Sequence, residues 1–266
     1  MSQRTSTSQR YTISICKGSA FIEETKTLLR AWHPTETLGE FRERVLREDL
    51  LGKKTAYRTN DIVRRVFARR LLTPDNRPAL LMKRLLAGKD SARLVSDLLL
   101  LYAARNDETL RDVIVKLYWP TVREGSLTLN PGRVVAFLQE AEAKGKMSEP
   151  WSEQVKLRVA RGLLKALLDF GLLKEVSRGR RETVYFHVTD GSIVYLAYDL
   201  HFSGLSDAAV VGHLDWGLYG LRNADVPAAL DRLSSEGWWL AQSAGSVTRI
   251  SWKFPAMEEV INVLAR

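Results

Sequence analysis

Residues 148–188 read SEPWSEQVKLRVARGLLKALLDFGLLKEVSRGRRETVYFHV, and this stretch decides the fold of the middle of the chain. Ser152 is a suitable helix N-cap, because it precedes a run in which apolar residues recur at helical spacing. Gly171 can end that helix in a left-handed conformation. The side opposite the apolar stripe is polar and mostly basic, with Gln154, Arg158, Arg161, Lys165 and Asp169. The stretch therefore predicts a helix over 152–170 with one buried face and one cationic face.

The residues after Gly171 predict a β-hairpin with arms at 172–176 and 183–188 and a turn between them. In the second arm apolar residues alternate with polar ones, which is typical of a half-buried strand. Three arginines crowd the turn: Arg178, Arg180 and Arg181. A helix followed by such a hairpin is the end of a winged helix-turn-helix, whose helix enters the major groove while the wing rests on phosphate. A unit used only for packing or protein docking fits the same pattern, so both interpretations stay open here.

The charge along the chain indicates where a polyanion would bind. Among 266 residues the net charge is +9, made of +7 in residues 1–80, +5 in 81–190 and −3 in 191–266. A basic front and a mildly acidic back favour an anionic partner for the first two thirds. A single cysteine, Cys16, excludes an internal disulfide framework and fits a reducing compartment. No signal peptide or membrane span is predicted, so we expect a cytoplasmic protein.

A second basic stretch lies at residues 57–72 and predicts a helix capped by Thr59 or Asn60. Five arginines recur between its apolar positions, namely Arg58, Arg64, Arg65, Arg69 and Arg70, and two lysines, Lys53 and Lys54, lie in the turn before it. These side chains either contact phosphate or form a solvated face that pairs with acids of a neighbouring helix, such as Glu43, Glu48 or Asp49. The sequence leaves the two alternatives even.

The order of the predicted elements sets the fold class. Helices at 108–119, 131–144 and 152–170 precede the hairpin, as a winged domain requires, and a loop is expected at 120–130. A similar pattern follows residue 190, with strands at 238–241 and 247–254 and four tryptophans that favour a core or a protein-docking surface. We predict a mainly α protein: a helical bundle with winged helix-turn-helix units carrying small β-hairpins. The predicted domains are a disordered tail (1–10), an N-terminal helical domain with a basic helix (11–105), a winged helix-turn-helix domain (106–190) and a second winged-helix-like domain (191–266).

No catalytic chemistry is evident in the sequence. It contains neither a Walker-type phosphate loop nor a Rossmann fingerprint, and its four histidines lack metal-ligand spacing. We therefore expect no enzymatic activity, no metal and no cofactor.

Several blocks resemble one known family: Gly18-Ser19-Ala20, residues 48–55 with Arg58, residues 110–112, Trp151-Ser152, residues 161–164 and residues 169–173. In these blocks the chain resembles the BrxA family of BREX phage-defence systems, in a longer form with a C-terminal extension. The resemblance implies a mainly helical monomer that binds double-stranded DNA. It also implies other BREX components as partners: a methyltransferase, an alkaline-phosphatase-like protein and ATPases.

Charge, hairpin and resemblance together predict a non-enzymatic DNA-binding component that contacts mainly the phosphate backbone. The alternative is a protein-interaction adaptor that assembles other subunits of the defence complex. The predicted DNA-binding residues are Lys53, Lys54, Arg58, Arg64, Arg65, Arg69, Arg70, Arg158, Arg161, Lys165, Arg178, Arg180 and Arg181.

Overall fold

The computed structural model describes residues 10–17, 20–72, 75–89, 91–177, 179–244 and 247–266. The predicted tail at 1–10 lies outside these residues except for Arg10, and Arg178 lies outside them as well. The protein is mainly helical with two small antiparallel β-hairpins, which confirms the predicted fold class at this level.

A 3-10 turn at Ile13–Lys17 precedes the first helix, and a second 3-10 turn lies at Leu214–Tyr219. The order of elements is α1 (Ile22–Ala31), α2 (Leu38–Arg47), α3 (56–71), α4 (Arg77–Leu86), α5 (Ala92–Asn106), α6 (108–123), α7 (Pro131–Ala143), α8 (Glu153–Asp169), β1 (Leu173–Ser177), β2 (Arg180–Thr183), α9 (Asp190–Phe202), α10 (Asp207–Val211), α11 (Val226–Ser235), β3 (Trp239–Ala244), β4 (Val247–Trp252) and α12 (Met257–Leu264). Two of these helices are π-helical in the middle: α3 at Ile62–Ala68 and α6 at Ile114–Tyr118.

The chain forms two compact units, each built from two separate parts of the sequence. The first unit comprises Met1–Ile22 and Tyr102–Tyr185, and the second comprises Glu23–Leu101 and Phe186–Arg266. The division into four consecutive domains stays a prediction.

In the first unit the N-terminal 3-10 turn packs on α8. Just before it, Tyr11 is buried, donates its hydroxyl to Asp112 at 2.8 Å, and donates its backbone N–H to the carbonyl of Lys146. Burial, followed by the hydrogen bond to Asp112, raises the pKa of the Tyr11 phenol far above its ordinary value. Residues distant in sequence thus form one core.

Helix α6 runs through Pro120 to Arg123, so the prediction of a loop starting at residue 120 was wrong. A proline inside a helix lacks an N–H and its ring crowds the carbonyl four residues earlier. The π-helical turn at Ile114–Tyr118 ends two residues before the proline and widens the helix there. The Thr121 hydroxyl also donates to the carbonyl of Leu117 at 2.7 Å.

In the second unit the tryptophans predicted as core or docking residues divide into two groups. Trp216 and Trp239 are buried, and their indole N–H groups donate to the carbonyls of Val210 and Leu230 at 2.7 and 2.9 Å. Trp238 and Trp252 are half-buried. The first pair therefore belongs to the core, because each ring is enclosed and its polar atom is satisfied.

Two glycines of the second unit give opposite predictions for stability. A Cβ added to Gly88 would lie 2.1 Å from the backbone oxygen of Ala265, so backbone must move. We expect Gly88→Ala to lower the free energy of unfolding by roughly 1–3 kcal/mol. Gly39 lies inside α2, and the atom nearest to a Cβ added there, Thr37 Oγ1, is 3.8 Å away. Because alanine has the better helix propensity, Gly39→Ala should raise the free energy of unfolding by roughly 0.5–1 kcal/mol. Urea unfolding of both variants measures the difference, and equal stabilities would contradict the close approach at Ala265.

Candidate nucleic-acid interface

Helix α8 begins after a side-chain N-cap, and a partly buried network of ion pairs joins its first turn to α7. The hydroxyl of Ser152 accepts the N–H of Val155 at 3.3 Å, which confirms the predicted cap. Lys156 is buried, and its ammonium lies 2.7 Å from Glu142 of α7 and 3.0 Å from Glu153. The hydrogen bond to Glu142, then that to Glu153, raises the pKa of Lys156. Glu142 also accepts the N–H of Trp151 at 2.8 Å, so one carboxylate holds the turn between α7 and α8.

The opposite side of α8 carries exposed polar side chains. Four exposed side chains follow one another there at spacings of four, three and four residues: Gln154, Arg158, Arg161 and Lys165. They form one line of about 16 Å along the helix axis. Lys165 pairs with Asp169 at 2.5 Å, whereas Arg158 and Arg161 form no ion pair with any residue that the structure describes. The structure thus brings the three predicted cations of this helix together on one face.

The hairpin differs from the prediction in its second arm. The strand paired with β1 is Arg180–Thr183, not 183–188, and residues 184–189 have no regular secondary structure. The chain turns at Gly179, whose φ is +79° and whose N–H donates to Glu175 at 3.2 Å. Pairing continues only as far as the bond from Val184 N–H to the Leu172 carbonyl, since the chain enters the second unit at Phe186.

The predicted basic tip is therefore partly neutralised. Arg180 is exposed and lies 3.1 Å from Glu182, while Arg181 lies within the strand opposite Glu175. Arg181 is half-buried, and its Nε is buried without a hydrogen-bond partner among the described atoms. A third segment joins the hairpin, because Thr128 forms a β-bridge with Glu182 and Leu127 accepts the N–H of Thr183. The hairpin carries both signs of charge, so α8 offers the more purely cationic face.

The remaining predicted residues lie in the second unit, around α3. This helix begins after Thr55, whose hydroxyl accepts the N–H of Arg58, so the prediction of Thr59 or Asn60 as the cap was wrong. Thr59 is buried inside the helix instead. Thr55 was not among the caps predicted from the sequence, and it lies four residues before the first of them.

The cations around α3 do not form one group. Lys53 pairs with Glu24 of α1 at 2.7 Å, Lys54 is exposed, and Arg58 and Arg70 are half-buried. The other three predicted arginines of α3 line a cleft of about 460 Å³, which they share with an arginine from α2: Arg64, Arg65, Arg69 and Arg42. Arg65 pairs with Asp61 of its own helix at 3.0 Å, and Glu43 lies 3.7 Å from Arg42.

Sequence reasoning missed the contribution of α2 to this cleft. Arg42 directly follows the buried Phe41 and is itself half-buried, but its neighbours in sequence give no sign of the arginines on α3. Tyr57 and Asn60 also line the cleft. Only the packing of α2 against α3 brings these residues together.

The positive charge is concentrated in the first unit. Its residues include 18 Lys and Arg against 11 Asp and Glu, a net charge of +7, whereas the second unit has 22 against 20, or +2. The first unit therefore has the stronger attraction for a polyanion. In the part of the chain that the structure describes, no group of His, Cys, Asp and Glu is suited to hold a metal, and no helix is long and apolar enough to cross a membrane.

The amino-acid sequence from residue 9 to residue 190 matches the BrxA family model. The chain belongs to the BrxA family. Membership makes it a component of a BREX phage-defence system. Residues 191–266 continue beyond the family match, as expected for a BrxA protein with a C-terminal extension. No curated protein matches the sequence.

A solved structure supports the helical fold. The crystal structure of an uncharacterized protein from Magnetospirillum magneticum is similar to this BrxA chain with a TM-score of 0.58 and 14% sequence identity. The similarity covers 73% of this chain and 95% of that chain. At this identity the likeness concerns the fold alone.

Proposed function

We propose that this BrxA protein is a non-enzymatic component of the defence system that binds double-stranded DNA through its first unit. The observation that carries the proposal is the exposed line on α8, with two arginines that no described acid neutralises. Phosphate oxygens are the preferred partners of such guanidinium groups. The net charge of +7 in the same unit adds attraction over a longer range.

The order of elements in the first unit supports a winged helix-turn-helix. Helix α6 is followed by the strand-like contact at Thr128, then by α7, α8 and the β1–β2 hairpin. In that motif the last helix lies in the major groove and the hairpin lies beside it on the backbone. Here α8 would occupy the groove, and Arg180 with the residues next to it would reach phosphate from the hairpin.

Binding through phosphate predicts a steep dependence on salt and little dependence on base sequence. With several phosphate contacts, the affinity should fall by orders of magnitude between about 50 and 200 mM salt. We would measure it by fluorescence anisotropy with two labelled duplexes of unrelated sequence. Equal slopes are expected for the two duplexes, because phosphate contacts carry no sequence information. Failure to bind either duplex at the lowest salt would contradict the proposal and favour the adaptor function.

DNA binding by this protein would give it a role in assembling the defence complex. A component that holds DNA without regard to sequence would present the duplex to the subunits that act on it: a methyltransferase, an alkaline-phosphatase-like protein and ATPases. Residues 186–266 form part of the second unit, so the test uses the full chain. Co-purification of these subunits with the full chain, and with a full chain carrying Arg158→Ala/Arg161→Ala, tests whether assembly depends on the α8 face; partners that are retained while DNA affinity falls would show that assembly and DNA binding use different surfaces.

A further inference from the structure

The cleft between α2 and α3 is large enough for a small ligand and is unusually cationic. Its volume of about 460 Å³ lies within the roughly 300–1,000 Å³ of small-molecule sites. Four guanidinium groups line it, against one carboxylate, that of Asp61. Arg65 is paired with Asp61, whereas Arg64 and Arg69 are exposed and form no ion pair with the described residues. Two cations are thus available to an anionic ligand.

The π-helical middle of α3 explains why these arginines face the same cleft. In an α-helix residues five positions apart point in different directions, but the i to i+5 bonds of a π-helix bring them toward the same side. Arg64 and Arg69 are five residues apart, and the π-helical stretch Ile62–Ala68 includes Arg64 and ends directly before Arg69. π-Helical turns are rare in proteins, and those that occur are often found at functional sites.

Two polar atoms of the lining are buried without partners. Arg42 Nε, a donor, and Asn60 Oδ1, an acceptor, form no hydrogen bond with described atoms. A buried polar atom without a partner costs about 1–3 kcal/mol. If the neighbouring side chains move aside on binding, a ligand with both an acceptor, such as a phosphate oxygen, and a donor, such as an amino or hydroxyl group, would satisfy both.

Besides the arginines and the buried polar atoms, the cleft has an aromatic side chain. Tyr57 lines the cleft and its side chain is 68% exposed. An exposed tyrosine beside unpaired arginines is suited to stack on a planar ring, as aromatic residues stack on bases in nucleic-acid-binding proteins.

We propose that this cleft binds a single nucleotide, with its terminal phosphate held by Arg64 and Arg69 and its base stacked on Tyr57. The ligand goes beyond the proposed function, because it is one nucleotide with a phosphomonoester or triphosphate rather than the backbone of a duplex. The source of the nucleotide is either a free nucleoside triphosphate or the 5′-phosphorylated end of a strand.

Isothermal titration calorimetry of the full chain tests the proposal with ATP, tripolyphosphate, and a short single-stranded oligonucleotide with or without a 5′-phosphate. ATP should bind roughly tenfold more tightly than tripolyphosphate because of the stacked base. Arg64→Ala/Arg69→Ala should weaken ATP binding by roughly 100-fold. Tyr57→Ala should abolish the preference for ATP over tripolyphosphate while tripolyphosphate still binds.

The matched control is Arg30→Ala/Arg84→Ala, which removes two exposed cations from the same unit outside the cleft and should leave ATP binding unchanged. ATP binding without oligonucleotide binding identifies a free nucleotide, and selective binding of the 5′-phosphorylated strand identifies a strand end. Absence of binding by ATP and both oligonucleotides at millimolar concentration overturns the proposal. So does equal weakening of ATP and duplex binding in the cleft variant with no preference for a 5′-phosphate, since the arginines would then be ordinary duplex contacts. Failure of duplex binding alone affects the proposed function and not this site.

Discussion

Replacing Arg158 and Arg161 together by alanine should weaken duplex binding by roughly 100-fold near 0.1 M salt, because each lost phosphate contact costs about tenfold there. The slope of log affinity against log salt should also become shallower by about 1.8, the value for two phosphate contacts. Both side chains are exposed, so their removal leaves the buried face of α8 intact. Anisotropy titrations at several salt concentrations measure both quantities.

The control is Lys116→Ala/Lys144→Ala, which removes the same charge from the same unit at two exposed positions, one on α6 and one directly after α7. These lysines are already paired with Asp112 and Glu140. The control should lose much less affinity than the α8 variant. Equal losses would mean that net charge alone attracts DNA, and the α8 face would no longer be the binding surface.

An element of the fold could be predicted when the residues that determine it lie within that element or at its ends. Helix α8 was predicted to within a residue, because Ser152, the apolar spacing and Gly171 all lie in the helix or at its ends, and Gly171 indeed has a φ of +77°. The second hairpin arm was misplaced because alternation at 184–188 resembles a strand. Phe186 is buried in the second unit, under the guanidinium of Arg93, so its apolar character reflects a different core.

The two candidate sites also differ in how far the sequence predicts them. The cationic face of α8 was predictable, since helical spacing alone places Arg158, Arg161 and Lys165 together. The cleft was not, because it needs a π-helical distortion of α3 and an arginine from α2. The sequence shows the excess of arginines in 64–70 directly, but it does not tell whether they form a solvated helix face or line a cleft.

Asp97 gives the largest expected effect on stability. Its side chain is 2% exposed and joins α5 to the start of α9 within the second unit. It accepts hydrogen bonds from Arg93 at 2.9 Å, from the backbone and hydroxyl of Thr189 at 3.3 and 3.2 Å, and from the hydroxyl of Ser192 at 3.1 Å. Asp97→Ala removes all of these hydrogen bonds and takes the acceptor away from the buried Ser192 and from the backbone N–H of Thr189, so it should lower the free energy of unfolding by about 3 kcal/mol. Urea unfolding of the full chain measures it, with the exposed Asp231→Ala as the control, expected to change stability by less than about 0.5 kcal/mol.

The same carboxyl should make stability depend on pH in a defined direction. Burial raises the pKa of Asp97, against the opposing effects of Arg93, Thr189 and Ser192. A carboxyl with a raised pKa in the folded state contributes stability that is fully present below the ordinary aspartate pKa and is lost as pH rises through the folded-state value. Asp97→Asn is neutral at every pH and keeps one acceptor oxygen, so it should cost less than Asp97→Ala. The stability of the wild type relative to Asp97→Asn should therefore decline as pH rises above about 4, the ordinary aspartate pKa. A difference that increases with pH would mean that Arg93 and the α9 N-terminus outweigh burial.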